Sequence, residues 1–408
     1  MQTRLVDSIR DTAQGKEADR ILRTCVHCGF CNATCPTYQL LGDELDGPRG
    51  RIYLMKQVME GHAPTRHTQL HLDRCLTCRN CETTCPSGVE YGKLVDIGRE
   101  LVEQRVARPA GERLFRKLLL SVLPYPGRFT PLLRLGQLVR PLLPGALRAQ
   151  VPPRVHAGTW PEARHARRML VLDGCVQPGI DPGINAATAR ILDRIGISLV
   201  RTPDAGCCGA VSHHLNATDE AHATIKRLIN AWWPEVEQGA EAIVITASGC
   251  GAMVKEYGYL LRDDPDYADK AARVSALARD ISEVLDNEQV DAIKLPKTQR
   301  VAFHPPCTLQ HGQKLRGKTE QLLGRLGFEL VPVTDGHLCC GSAGTYSLLQ
   351  PELSTRLRDN KLRNLLEHNP ECIVTANIGC QTHLAAAAGI PVQHWISVLD
   401  VALSRTEG

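Results

Sequence analysis

Cys25-Val-His-Cys28-Gly-Phe-Cys31-Asn-Ala-Thr-Cys35-Pro36 returns, with the same spacing and 50 positions later, as Cys75-Leu-Thr-Cys78-Arg-Asn-Cys81-Glu-Thr-Thr-Cys85-Pro86. Two-residue gaps let three thiolates wrap one iron–sulfur cube from a single tight loop, while the fourth cysteine opens the next element and points away. Pro36 and Pro86 turn the chain out after it without leaving a stray amide. Structural zinc also takes Cys-x2-Cys pairs, but it wants two well-separated pairs in a tetrahedron. Four cysteines within eleven residues, twice over, fit that poorly. A cube held this way has thiolate at every iron, so its chemistry is electron transfer and not substrate activation.

The pattern resembles that of two-cluster ferredoxins, in which the fourth cysteine ligates the other cube. The resemblance implies cluster 1 on Cys25, Cys28, Cys31 and Cys85, and cluster 2 on Cys75, Cys78, Cys81 and Cys35. The segment between the motifs is long for a minimal β-type ferredoxin. Asp46–Gly61 reads as a helix with Pro48 near its start, an apolar Ile52/Met55/Met59 side and Gly61 past its end. The expectation is an α-helical ferredoxin domain over residues 1–108 with two 4Fe–4S clusters. Amides around Gly29, with Arg79 and Lys93, could raise the potentials by favouring the reduced form, although a solvated surface is the plainer reading of the two cations.

Composition narrows the rest. The chain has 408 residues, 17 of them cysteine, with 23% charged and 43% hydrophobic residues and a net charge of +4. That is room for several cores and excludes a disordered chain. Aromatics at 4% and so small a charge argue against a nucleic-acid partner. Met1 to Arg20 is charged throughout, which reads as no export signal, and no apolar run is long enough for a membrane span. The expected compartment is the cytoplasm, where thiols stay reduced and grouped cysteines read as metal ligands or redox centres. From Leu101 to Arg168 there are 13 Lys+Arg against 3 Asp+Glu, with nine prolines among many leucines. We read residues 109–168 as a basic linker or docking arm that proline prevents from forming one long helix. It suits an anionic lipid surface or an acidic partner face.

Beyond Arg168 the texture is α/β. Met169–Leu172, Ile197–Val200, Ala242–Thr246, Val301–Phe303, Phe328–Val333 and Ile373–Thr375 read as buried strands. Helical stretches such as Asn216–Trp233 and Glu352–Glu367 lie between them, which implies parallel sheets. An internal repeat is visible: Cys175 precedes Cys207-Cys208-Gly209 by 32 positions, and Cys307 precedes Cys339-Cys340-Gly341 by 32. Cys250 and Cys380 follow each pair, so the unit is duplicated as residues 169–290 and 291–408. The fold class expected is α+β multidomain, a helical ferredoxin domain followed by two duplicated α/β Cys-Cys-Gly domains. Each half gathers four thiols at strand ends: Cys175, Cys207, Cys208 and Cys250, then Cys307, Cys339, Cys340 and Cys380. Cys372 belongs to neither set and reads as an apolar core side chain.

These halves resemble the Cys-Cys-Gly domain of heterodisulfide-reductase-like proteins, whose fuller form ends in Cys-x2-Cys. Ala247 and Asn377 stand where the first cysteine of that pair would be. The resemblance implies one or two further 4Fe–4S clusters, against a reading of the eight as reduced core thiols. His213-His214 and His304 could shuttle protons at an acceptor site, or be ordinary satisfied histidines. Gly312-Gln-Lys-Leu-Arg-Gly317-Lys318-Thr319 matches a phosphate-loop pattern, but it does not follow its strand directly and is bulky where such loops are glycine-rich.

Arg23–Tyr38, Gly47-Pro-Arg-Gly-Arg-Ile-Tyr53 and His71–Gly88, with both Cys-Cys-Gly repeats, resemble the iron–sulfur subunits of bacterial glycolate oxidases. That implies an electron-transfer subunit taking electrons from FAD-containing partner subunits, which oxidise glycolate to glyoxylate, and passing them to a quinone or other acceptor. Peripheral contact with the inner face of the cell inner membrane follows from the same resemblance. Iron–sulfur subunits of lactate or anaerobic glycerol-3-phosphate dehydrogenases, or a heterodisulfide-reductase-like enzyme, are the alternatives. No flavin or nicotinamide fingerprint is present, so the chain is not expected to be active alone, and no catalytic residue is assigned.

Overall fold

A computed structural model describes residues 1–405; the last three positions of the 291–408 segment lie outside the described residues. The chain divides into two compact units, the first built from Met1–Lys117, His214–Asn216 and His337–Lys361, the second from the remainder.

The first unit is helical because its apolar residues recur at helical spacing between good caps. Thr12 accepts from the Gly15 amide to start Ala13–Thr24, and Pro48 occupies the first turn of Pro48–Met59, where its missing N–H costs nothing. With Arg66–Asp73 and Tyr91–Arg105, these helices enclose a core of Ile21, Leu22, Ile52, Met55, Met59, Leu72, Leu94 and Val102. The expected Asp46–Gly61 helix is found, trimmed at both ends.

In the second unit, eight strands form two parallel sheets. Arg167–Val171 (β1), Ile197–Val200 (β2), Ile243–Ile245 (β3) and Ala278–Asp280 (β4) lie in the order β2-β1-β3-β4. Gln299–His304 (β5), Phe328–Leu330 (β6), Cys372–Thr375 (β7) and Val392–His394 (β8) repeat it as β6-β5-β7-β8. The register repeats too, Met169 facing Leu199 as Val301 faces Leu330. The helical first domain and duplicated parallel halves are the fold class expected. One continuous core serves both sheets, Val171 and Val244 from one side and Val301, Phe303 and Val374 from the other. Arg190 and the buried Asp400 add an ion pair between helices Gly183–Arg194 and Trp395–Ser404.

Two features go beyond the sequence expectations. β4 and β8 are too short and too mixed in polarity to stand out by alternation, and they were not foreseen. The basic stretch is mostly helical: Ala110–Val122 and Pro126–Val139 are separated at Pro124-Tyr125, as proline demands, yet Pro131 sits inside the second helix. Near a helix start a proline forfeits only one backbone bond.

Candidate metal centres

Both cysteine motifs wind the same way. The residues two and four places after the first cysteine are left-handed in each copy: His27 (φ 61°) and Gly29 (φ 86°), then Thr77 (φ 53°) and Arg79 (φ 59°). This curls the loop around its sulfurs and turns amides inward; the Thr77 N–H donates to Cys75 Sγ at 3.4 Å. Gly29 accepts the conformation freely, and a Cβ there would also lie 2.5 Å from Arg49 Nη1. Arg79 adopts it despite its side chain. Short helices Phe30–Ala33 and Asn80–Thr84 follow, and Cys35 and Cys85 stand just after them in extended backbone.

The eight sulfurs line two cavities. The first, about 430 Å³, is lined by Cys25, Cys28, Cys31, Cys81 and Cys85. The second, about 300 Å³, is lined by Cys35, Cys75, Cys78 and Cys81. All are free thiols. Burial first, then neighbouring thiols, pushes Cys31 up to about 11 and Cys81 well above the usual thiol range. Sulfurs this crowded cannot all ionise without a cationic core among them, and eight thiols shared between two cavities is the number two 4Fe–4S clusters need. The donor sets therefore fit such clusters.

The surroundings of the cavities differ. Around the first, Cys28 is exposed, and Val26 (67%) and Phe30 (62%) face solvent. Its nearest guanidinium, Arg49, is paired with Glu44 at the surface, and the Met1 ammonium donates to the Cys25 carbonyl at 2.7 Å. Beside the second, Arg51 is only 1% exposed. Its Nη1 lies 3.2 Å from Thr37 Oγ1 and 4.0 Å from Cys35 Sγ, its Nε donates to the His71 carbonyl at 2.7 Å, and its Nη2 is 3.4 Å from Asp46 Oδ1. Arg74 and His71 complete the carboxylate's shell at 2.8 and 3.0 Å. That shell makes Asp43, Asp46 and His71, which lie close together, an ion-pair cluster and not a metal site. Arg99 donates to the Cys75 carbonyl at 2.6 Å, and Tyr91 OH to Cys75 Sγ at 3.6 Å.

Of the cations singled out from sequence, Arg79 lines the second cavity, while Lys93 pairs with Glu90 and Glu17. Arg51, Arg99 and Asp46 were missed. One signal was available: Arg51, Met55 and Met59 are four apart, so a cation sits on the buried stripe of its own helix.

In the first α/β half, Cys175, Cys207 and Cys208 are buried and Cys250 half-buried. Cys175 and Cys208 both share hydrogen bonds with Cys207, which as common acceptor is lowered while its two neighbours are pushed up; Cys250 bonds Cys208. The Tyr257 hydroxyl donates to the Cys208 carbonyl at 2.7 Å. Four sulfurs thus converge at the carboxyl ends of β1 and β3 and in the loop after β2. The second half distributes its set differently. Cys307 and Cys380 lie in the second unit, with His304 and Cys380 offering ligand atoms within 4.8 Å of each other. Cys339 and Cys340, both buried, belong to the first unit, where the Asn80 amide also donates to the His337 carbonyl. Gly209 (φ 85°) and Gly341 (φ 91°) hold matching left-handed turns, and each N–H donates to the sulfur two residues before it at 3.4 Å. Asn377 Nδ2 reaches Cys380 Sγ at 3.5 Å, so an amide occupies the place of the missing cysteine; Ala247 offers nothing comparable. Cys372, half-buried at the start of β7, is pushed up to about 11 by burial.

His304 is buried at the end of β5, and His213 and His214 close the helix Ala210–His214. The phosphate-loop look-alike is no such loop: β5 ends at His304, the helix begins only at Lys318, and Thr319 is buried with its hydroxyl on Ser282 Oγ at 3.1 Å.

The pattern has known counterparts. The family described as 4Fe-4S dicluster domain matches residues 21–89, and the family described as cysteine-rich domain matches residues 169–255 and 301–385. The chain is 58% identical to the glycolate oxidase iron-sulfur subunit of Escherichia coli (strain K12), over 99% of this chain and 100% of that one. It is 33% identical to the probable glycolate oxidase iron-sulfur subunit of Bacillus subtilis (strain 168), over 88% and 87%. Lactate utilization protein A of Geobacillus thermodenitrificans is more distant, 27% identical over 53% of this chain and 92% of its own. A crystal structure of a hypothetical protein from Helicobacter pylori shares the fold, with a TM-score of 0.54 over 97% of this chain and 72% of that one at 9% identity. Helical dicluster region, duplicated cysteine-rich halves and end-to-end identity agree: this chain belongs to the family of glycolate oxidase iron–sulfur subunits.

Proposed function

We propose that the chain is the electron-transfer subunit of a glycolate-oxidising complex and holds two 4Fe–4S clusters. Cluster 1 takes Cys25, Cys28, Cys31 and Cys85; cluster 2 takes Cys75, Cys78, Cys81 and Cys35. The observation that carries this reading is that Cys85 lines the cavity of the first motif and Cys35 that of the second, with Cys81 common to both walls. When bound, the clusters supply one-electron carriers; the chain's own residues position the sulfurs and tune them with amide, hydroxyl and guanidinium donors. FAD-containing partner subunits would oxidise glycolate to glyoxylate and deliver electrons here, and a quinone or similar acceptor would remove them. The four-part division at residues 108, 168 and 290 is kept as the functional layout.

Anaerobic purification with iron and sulfide counts tests the clusters: about eight irons are expected from the N-terminal set. A colourless chain that binds zinc would refute it. The isolated chain should show no glycolate-dependent dye reduction until partner subunits are added, and robust turnover alone would refute the carrier role.

Two further readings have specific support. The converged quartet Cys175, Cys207, Cys208 and Cys250 favours a third cluster, expected as twelve irons instead of eight. Among the described residues no helix is long and apolar enough to cross a membrane. Peripheral attachment at the inner face of the cell inner membrane is supported by the basic arm, where Leu132, Leu135, Leu138 and Leu142 are exposed among arginines. Co-sedimentation with anionic but not neutral vesicles checks it; equal pelleting with both would refute it.

A further inference from the structure

We infer that the two cluster sites are unequal in reduction potential, with the buried Arg51 guanidinium holding the site of Cys35, Cys75, Cys78 and Cys81 at the more positive value. The inference rests on the two-cluster reading above.

Reducing a cluster adds one negative charge, so the potential rises with any fixed positive charge or hydrogen bond that the extra electron strengthens. Arg51 supplies both at the second site. It is fully buried, and its Nη1 lies 4.0 Å from Cys35 Sγ. Two guanidinia, the buried Arg51 and the partly exposed Arg74, face the single carboxylate of Asp46, which leaves one positive charge in excess. The carboxylate's third partner, His71, adds no negative charge. A hydroxyl donor acts in the same sense: Tyr91 OH donates to Cys75 Sγ. Burial does not discharge Arg51, because a guanidinium is not deprotonated in proteins.

At the first site the balance is different. Arg49 is neutralised by Glu44 and both are substantially exposed, while the Met1 ammonium sits in a partly exposed position on backbone carbonyls. Surface charges are screened by water and salt. An electron on the first cluster therefore moves downhill to the second; one iron–sulfur core is oxidised, the other is reduced, and no proton transfer is required. The exposed Cys28 edge is then the entrance for electrons.

An EPR-monitored redox titration of the full-length, anaerobically loaded chain tests this. Cys28→Ser marks the signal of the first site. Arg51→Met should shift the reduction equilibrium of the other cluster at least tenfold toward the oxidised form, which is 59 mV for one electron. Arg51→Lys should restore most of that shift, and Arg49→Met should move neither cluster threefold. Retained iron with both potentials unmoved in Arg51→Met, or a more positive potential assigned to the Cys28 site, overturns the inference. If Arg51→Met loses iron, Asp46→Asn carries the test: removing the counter-charge should move the second cluster the opposite way, and an unchanged titration overturns it. Fewer than eight irons in the wild-type chain would sink the two-cluster reading itself, whereas eight irons at equal potentials would sink only the inequality.

Discussion

The motifs beginning at Cys25 and Cys75 share their spacing, their left-handed positions and their trailing proline, and they end in opposite surroundings. The first is rimmed by exposed Val26 and Phe30 and a solvent-facing ion pair; the second is wrapped by Arg51, Asp46, Arg74 and Arg99. Spacing fixes how a loop grips a cluster. What the cluster feels depends largely on Arg51, Asp46 and Arg99, which lie outside the motif's loop.

The largest test of this comparison is the exchange of the fourth ligand. Cys35→Ala should empty the second site and spare the first, halving the N-terminal iron from about eight to about four per chain. Loss of the first cluster's EPR signal instead would show that each motif serves its own cube. A smaller effect separates the two ion pairs. Asp46→Ala strands the buried Arg51 and should destabilise the first unit by about 3–5 kcal/mol. Glu44→Ala frees the exposed Arg49 and one hydrogen bond of the Asn32 amide, and should cost about 1–2 kcal/mol. Urea midpoints of the loaded proteins read both, and similar losses would erase the distinction between a surface pair and a core pair.

The motifs and the duplication were legible because cysteine spacing and Cys-Cys-Gly are local signals. Strands β1 to β3 and β5 to β7 were legible as apolar runs. What escaped were features that only tertiary contact creates. β4 and β8 are three residues each, with Arg279 and Gln393 in their centres, and they exist because a neighbouring strand offers a ladder. Arg51 escaped because a cation on an apolar stripe reads as an exception until its carboxylate is seen 3.4 Å away. The placement of Cys339 and Cys340 in a different unit from Cys307 and Cys380 has no sequence signal at all.

The duplicated halves repeat the lesson at the end of β4 and β8. Asp280 and His394 occupy equivalent helix-capping positions, accepting from the Ser282 and Ile396 amides, and both are fully buried. Burial pushes Asp280 up to about 6 and His394 down to about 4. The folded state prefers both groups neutral. Asp280 therefore withdraws stability as pH rises from its ordinary 3.8 through about 6, and His394 withdraws it as pH falls from its ordinary 6.5 through about 4. The two nearly cancel. Asp280→Asn should leave stability rising with pH across that window, and His394→Asn should leave it falling, each by at most about 1.4 kcal/mol per unit. Parallel slopes in the two variants would show that the caps are not equivalent.

The single interior shared by the two sheets makes the repeats inseparable. Removing either would lay bare Val301 and Phe303, or Val171 and Val244, and leave Arg190 or Asp400 without its counterpart. Cutting the chain between the repeats would therefore turn one buried seam into two exposed apolar faces, so each half is a poor candidate for expression by itself.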